Sequence, residues 1–393
     1  MSGLDIARLR ADTPACDKLI HFNNAGSSLM PEPVYRALLD HLALEQSIGG
    51  YEAEDAAEPA LEDFYDAFAA LLNCERSEIA YVENATRAWD MAFYSLPLKE
   101  GDRVLTAEAE YVSNFLGFLH QAKRRGFEID VAPSDASGQL DLEAMERMVT
   151  PKTRLIAITH IPTQGGLVNP AEQVGQIARR HGITYLLDAC QSAGQMPLDV
   201  RKIGCQILSG TGRKFLRGPR GTGFLYVSKT IVDRLDPPFI DMTAANWTDA
   251  RSFEIRPDAK RFENWESYIA GRVGLRAAVR YALGLGLDQI RTRVTMLAER
   301  LRDELARLPG ITVRDLGRVR SGIVTFTKED EQPRAIQARL RAAGINVSVS
   351  SKTSAQLDFG RRGLNHVVRA SVHYFNTDEE IGRFCQVLQS AKG

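Results

Sequence analysis

Between about residues 75 and 230, short runs of β-branched and apolar residues alternate with longer stretches at helical spacing, and this rhythm constrains the chain more than any other feature. The runs fall at 79–82, 103–106, 128–131, 155–159, 184–187, 205–208 and 223–227. Parallel strands are covered on both faces and read as near-continuous apolar segments, and each parallel connection needs a crossover long enough to hold a helix. Helical candidates at 86–96, 113–125, 141–148 and 170–181 fill those gaps, the last closing at Gly182. The pattern predicts an α/β fold with a large domain on a mainly parallel seven-stranded sheet.

After Pro237 and Pro238 the rhythm changes. A helical stretch over 267–308 stops at Pro309 and Gly310; strands at 311–314 and 322–327, a helix at 334–343, strands at 346–350 and 367–373 and a helix at 378–390 follow. The expected organisation is an N-terminal segment 1–20, a large α/β domain 21–255, and a small α+β domain 256–393 that carries the long connecting helix.

Composition excludes several classes of function. Among 393 residues, 49 Lys and Arg stand against 50 Asp and Glu, so the chain lacks the basic excess of a general nucleic-acid or membrane-surface binder. Five dispersed cysteines without a CxxC pair fit a reducing compartment, and the histidines show no zinc-ligand spacing. No apolar stretch reaches 18 residues and no signal-like N-terminus is present, so the expectation is a soluble cytoplasmic protein without a metal.

The chemistry concentrates in YLLDACQSAGQMPLD and ILSGTGRKFLRGPRGTGFLYV. The run at 184–187 ends in Asp188, and the run at 205–208 leads through SGTG to Arg213 and Lys214. Ligands of open α/β sheets bind at the C-terminal ends of strands. Alone, Asp188 reads as a helix cap and Lys214 as a solvated lysine. Together they suit pyridoxal 5'-phosphate, whose aldehyde needs an amine and whose ring nitrogen needs an anion. A dinucleotide site is disfavoured, because GTGRKF lacks the third glycine of that fingerprint.

The order D-A-x-Q, S-G-x-x-x-K and G-P-x-G-x-G-F-L-Y-V, with Asp188 placed 26 residues before Lys214, resembles the fold-type I, class V aminotransferase family. That family includes cysteine desulfurases, selenocysteine lyases, kynureninases and isopenicillin N epimerase, and the resemblance runs from FNNAGSS to SVHYFNT. It implies that Lys214 is the Schiff-base lysine, Asp188 the partner of the ring nitrogen, and Gln191 a hydrogen-bond partner of the phenolic oxygen, with Thr163 near the same oxygen. It places Ala85 and Thr86, at a helix start, with Thr211 and Arg213 around the phosphate, and Tyr111 against the ring where many relatives have histidine. Arg369 matches the arginine that clamps a substrate carboxylate, and Asn24 and Ala25 fall where N-terminal backbone approaches the substrate. A homodimer with sites at the subunit boundary is implied as well.

Two departures narrow the expectation. Residues 350–366 contain no cysteine, whereas desulfurases carry a nucleophilic one there, and Trp265 and Glu266 stand where relatives have a glycine and a threonine that reaches the partner's phosphate. The expected function is therefore a pyridoxal-phosphate-dependent β-eliminating carbon–sulfur lyase acting on a cysteine-like α-amino acid without a catalytic cysteine. An aminotransferase or amino acid epimerase is the alternative, and a catalytically idle binding module the rival of another class.

Overall fold

Seven strands form the central sheet of the computed structural model, which describes residues 3–389. In chain order they are β1 (Ile79–Val82), β2 (Arg103–Ala107), β3 (Glu128–Ala132), β4 (Thr153–Thr159), β5 (Thr184–Asp188), β6 (Ile207–Thr211) and β7 (Gly223–Val227). Their spatial order is β1-β7-β6-β5-β4-β2-β3, and all neighbours are parallel except β7, which runs antiparallel to β1 and β6. The expected mainly parallel seven-stranded α/β sheet is present.

Strand alternation sends side chains to two cores. Leu105, Ile156, Ile158, Leu187, Leu208 and Phe224 join one cluster, and Val104, Leu155, Ala157, Leu186, Ile207 and Leu225 join the other. The inner strands are thus buried on both sides, which explains their near-continuous apolar sequences, whereas the edge strand β3, with Glu128 exposed and Asp130 half-buried, is not.

The second sheet is antiparallel, in the order Ile311–Val313, Ile323–Lys328, His366–Ser371, Ser348–Ser351. The helices Leu287–Ala306, Pro333–Ala342 and Asp378–Gln389 cover one face of it through Leu297, Leu301, Ile336, Leu340 and Phe384. The expected last helix also included Ser390, which lies outside the described residues.

The cores run across the expected boundaries at 20/21 and 255/256. Ile20–His21 pairs in parallel with Ile345–Asn346, and Phe22 is buried in the C-terminal cluster. Conversely, Ala259 and Phe262 sit in one core of the central sheet, and Leu275, Ala278 and Val279 of the helix Ile269–Leu285 sit in the other. This exchange of segments brings residues 22–26 and Arg369 to the C-terminal ends of β4, β5 and β6.

Candidate active site

Register aligns Thr159 of β4 with Asp188 of β5, and Asp188 with Ser209 of β6. Chain from these strand ends meets the loop that bears Lys214, and together they enclose a cavity of about 200 Å³. Ala85, Thr86, Tyr111, Thr163, Asp188, Gln191, Thr211, Arg213 and Lys214, all expected from the sequence, line it.

Lys214 is buried, and its Nζ lies 5.8 Å from the centroid of the Tyr111 ring. Burial lowers its ammonium pKa below the ordinary lysine value; Cys190 and Asp188 oppose the fall, while Arg213 and Arg369 add to it. The amine is therefore poised to be neutral more often than a solvated lysine, as a carbonyl-reactive amine needs. Its loop is clamped from two sides. Arg217, a non-glycine residue at φ 62°, donates to Leu29 O at 2.7 Å, Thr13 Oγ1 at 2.7 Å and Tyr374 Oη at 2.8 Å. His373 Nε2 lies 2.9 Å from Phe215 O.

Asp188 Oδ1 accepts from the Cys190 amide at 2.9 Å, and Oδ2 accepts from Asn114 Nδ2 at 2.9 Å. Asn114 Nδ2 also donates to Glu110 Oε1 at 3.0 Å. Glu110 is buried beside β2 and β4 and accepts further bonds from Thr106 Oγ1, the Thr159 amide and hydroxyl, and the Tyr111 amide. Burial pushes its carboxyl up to about 7 against these donors, and Asp188 adds to the rise. Glu110, Asn114, Arg217 and His373 were missed by the sequence reading. Glu110 precedes the N-cap Tyr111 of the helix Val112–Arg125 and Asn114 lies in its first turn, so no helical periodicity pairs them in the sequence.

Phosphate-binding capacity comes from the helix Ala85–Tyr94. Asn84 Oδ1 caps the Arg87 amide at 2.9 Å, which leaves the Ala85 and Thr86 amides directed out of the helix N-terminus, a ready anion site. Gly223 permits this placement: a Cβ there would come within 2.8 Å of the Asn84 backbone carbon. Thr211 Oγ1 donates to Thr222 O at 3.4 Å, and Arg213 Nη1 donates to Gly26 O at 2.7 Å.

Thr163 joins the ring side of the cavity to Arg369. Its hydroxyl oxygen accepts from Gln191 Nε2 at 3.0 Å and from Arg369 Nη1. Gln191 Nε2 also donates to Ala25 O at 3.0 Å, and its buried Oε1 has no partner. To donate to a ring oxygen, Gln191 has to release one of these two acceptors. Arg369 Nη2 donates to Asn23 Oδ1 at 3.4 Å, while its buried Nε is unpartnered. Burial, with help from Arg213, lowers its pKa to about 10, so the guanidinium stays charged at neutral pH. Asn24 does not project into the cavity: its amide donates to His21 O at 3.1 Å and Ser371 O at 2.8 Å, and its Oδ1 accepts from Ser28 Oγ at 2.7 Å. Its neighbour Asn23 supplies the polar side chain instead.

The orphaned Gln191 Oε1 and Arg369 Nε, the buried amine and the free helix amides fit a flat, anionic, polar-edged cofactor followed by a carboxylate ligand. Pyridoxal 5'-phosphate satisfies that description, and these residues fit it. A larger cavity of about 610 Å³ opens at the opposite strand ends, but its Asp102 and Arg154 neutralise each other at 3.1 Å, and the amine on its wall, Lys99, is an exposed lysine rather than a buried one.

Among the five free cysteines, Cys190 alone lines the site cavity. Burial holds its thiol well above the ordinary pKa, and Asp188 reinforces this.

A family model described as aminotransferase class-V matches residues 20–384. The chain is 33% identical over 403 residues to a probable cysteine desulfurase of Xylella fastidiosa, covering 98% of this chain and 95% of that protein. It is 29% identical over 388 residues to a probable cysteine desulfurase of Pyrococcus abyssi, with 97% and 96% covered. Its fold superimposes on the apo structure of a cysteine desulfurase from Thermococcus onnurineus NA1 with a TM-score of 0.92 at 27% identity, covering 99% of this chain and 98% of the other.

Proposed function

This chain belongs to the aminotransferase class-V family of pyridoxal-phosphate-dependent enzymes, and from that premise we propose that it is a carbon–sulfur lyase acting on cysteine or a cysteine-like α-amino acid by β-elimination. The observation that carries the reading is the thiol inventory of the site. A persulfide-forming enzyme needs a thiolate beside the substrate sulfur. Here residues 350–366 contain no cysteine, and the one thiol on the cavity, Cys190, is held protonated by burial and Asp188.

Bound pyridoxal phosphate supplies an aldehyde for the amine and an electron-withdrawing ring that acidifies the substrate α-carbon. Lys214 provides the amine and, once displaced by the substrate, the base that takes the α-proton; its lowered pKa keeps it competent for both. With the cofactor bound, Asp188 would partner the ring nitrogen, Tyr111 would stack on the ring, and Gln191 would serve the phenolic oxygen. The Ala85 and Thr86 amides, Thr211 and Arg213 would hold the phosphate. Arg369 binds the substrate carboxylate in the two-pronged manner suited to guanidinium, and Thr163 keeps it aligned. Backbone of Asn24 and Ala25 closes the site. Elimination from cysteine would consume one water and release hydrogen sulfide, pyruvate and ammonia.

The reading includes a homodimer and a reducing, cytoplasmic setting, which five unpaired cysteines support. Among the described residues no helix is long and apolar enough to cross a membrane.

The test is a product screen of cysteine, cystine and related amino acids for sulfide, pyruvate and ammonia, run on the parent chain and on a variant with all five cysteines replaced by alanine or serine. Equal yields of pyruvate and ammonia, with turnover retained within about twofold in the cysteine-free variant, are expected for elimination, since proton transfer by Lys214 requires no thiol. Alanine as the product, with activity lost in that variant and a persulfide trapped on the protein, would replace the lyase by a desulfurase with a relocated nucleophile.

A further inference from the structure

Asn114 has two amide hydrogens, and both are donated to carboxylates. One goes to Glu110 Oε1 at 3.0 Å and the other to Asp188 Oδ2 at 2.9 Å. The amide cannot turn over, because its oxygen would then face an anion on either side. Asn114 is therefore locked, and it joins the wall of the cavity to a carboxylate that lies behind it. Glu110 is 5% exposed and is absent from the cavity lining, so it does not touch what binds there.

We propose that Glu110, acting through the Asn114 amide, is a positioning residue that fixes the orientation and reinforces the negative charge of Asp188 toward the ring nitrogen. Two features support it. Five donors surround the Glu110 carboxyl: Thr106 Oγ1, the Thr159 amide and hydroxyl, the Tyr111 amide and Asn114 Nδ2. A residue that merely filled space would not be given a charge-sized set of hydrogen bonds at the end of β4, directly beside Asp188. The opposed effects of these donors and of burial leave the carboxyl near 7, so small changes next door decide its charge. The other titratable groups that face the network are Tyr185 on β5, whose phenol is raised by burial and by Glu110, and Cys190 and Lys214, which sense Asp188. A cationic ring nitrogen against Asp188 favours ionised Glu110. Binding of such a ring is thus coupled to proton release from Glu110 below about pH 7, and it strengthens as pH rises toward that value and levels off above it.

The inference rests on Asp188 facing the ring nitrogen, so the experiment separates the two claims. Binding of pyridoxal phosphate and of its 1-deaza analogue, which has carbon in place of the ring nitrogen, is titrated on the apo protein between pH 5.5 and 8.5. The parent, Asp188→Asn, Glu110→Gln and Asn114→Ala are compared, with thermal unfolding of each as a check on folding. The parent is expected to prefer pyridoxal phosphate, more strongly at high pH. Glu110→Gln and Asn114→Ala should reduce that preference by about tenfold, the size of a charge-assisted contact, and flatten its pH dependence. Equal weakening of both ligands would mean a structural role only and overturn the proposal, as would an unchanged preference in either folded variant. If the Asp188→Asn preference is also unchanged, the assignment of Asp188 falls with it. Should neither variant fold, a pH-independent preference in the parent is itself the overturning result.

Discussion

At the scale of single residues, the site is governed by what burial does to three groups of unlike charge. Lys214 is pushed toward its neutral form, Arg369 keeps its charge even at a pKa near 10, and Glu110 is left near 7. The last has a consequence for the apo protein that needs no ligand. The ordinary Glu value is 4.5, so between about 4.5 and 7 the folded chain holds a proton that the unfolded chain has lost. Stability from this group is fully present below 4.5 and is lost as pH rises through about 7. At about 1.4 kcal/mol per pH unit, the loss is on the order of 3 kcal/mol. Glu110→Gln cannot titrate, and the difference in unfolding free energy between it and the parent should shift by that order between pH 4.5 and 8, measured by urea denaturation of the apo forms. A pH-independent difference would show that Glu110 is ionised throughout. Lys214 and Asp188 were legible in the sequence because each terminates a recognisable strand and belongs to a motif. Glu110 and Asn114 were not, because nothing in EYVSN tells which of its polar side chains turns inward. Only the approach of β4 and β5 makes a buried amide between two carboxylates. Asn24 illustrates the converse: FNNAGSS places two asparagines side by side, and the fold decides that Asn23 meets Arg369 while Asn24 is used up by His21 O and Ser28 Oγ nearby and by Ser371 O of the C-terminal strand.

At the scale of elements, the chain was most readable where hydrophobic burial is two-sided. The expected strands of the central sheet agree with the observed ones to within one or two residues, apart from the run at 205–208, whose strand is Ile207–Thr211. The polar end of that strand, Ser209, Gly210 and Thr211, gives no apolar signal, yet it is buried between neighbouring strands, with Thr211 reaching the cavity. The stretch at 267–308 reads as one helix but breaks into Ile269–Leu285 and Leu287–Ala306 at Gly286, whose φ of +84° no helix can hold. The helices Glu32–Ile48 and Gly50–Leu72 are not among the expected elements; Pro59 reads in the sequence as a break, although the second helix runs through it. The phosphate helix depends on its neighbour in the sheet. Gly223, at the start of β7, lies so close to the Asn84 backbone that a methyl group has to displace the helix N-terminus, because backbone on one side and Gly210 O at 2.9 Å on the other cannot yield. Gly223→Ala is therefore expected to cost about 1–3 kcal/mol of stability. It should also weaken pyridoxal phosphate more than pyridoxal, which lacks the phosphate; isothermal titration with both ligands reads the difference. Equal affinity losses would detach this helix from phosphate binding.

At the scale of the molecule, one run of chain exposes several large apolar side chains. Met242 is 69% exposed, Phe239 59%, Trp247 80% and Phe253 56%, and Ile240 and Trp265 add to the same run of chain. Trp247 and Phe253 are register partners across the hairpin Ala245–Asp249 and Ser252–Ile255, so they stand side by side on one face. A two-stranded hairpin is marginal in water unless something packs on it, and in this structure it belongs to no larger sheet. The same surface reaches the cofactor helix, since the Arg87 guanidinium lies 4.7 Å from the centroid of the Phe239 ring. The homodimer proposed above would cover this surface, and a standard interface buries about 800 Å² per partner. Sedimentation of the parent at micromolar concentration should give a dimer, and Trp247→Ser with Phe253→Ser should shift it toward monomer, because both aromatic anchors are removed. Cofactor affinity should fall in that variant and recover at high protein concentration, as mass action requires of a site completed by association. Trp265→Ala should alter cofactor affinity or substrate preference in the dimer while leaving the monomer's cofactor affinity as it is. A fully active monomer in dilute solution would show that the patch serves something other than the site.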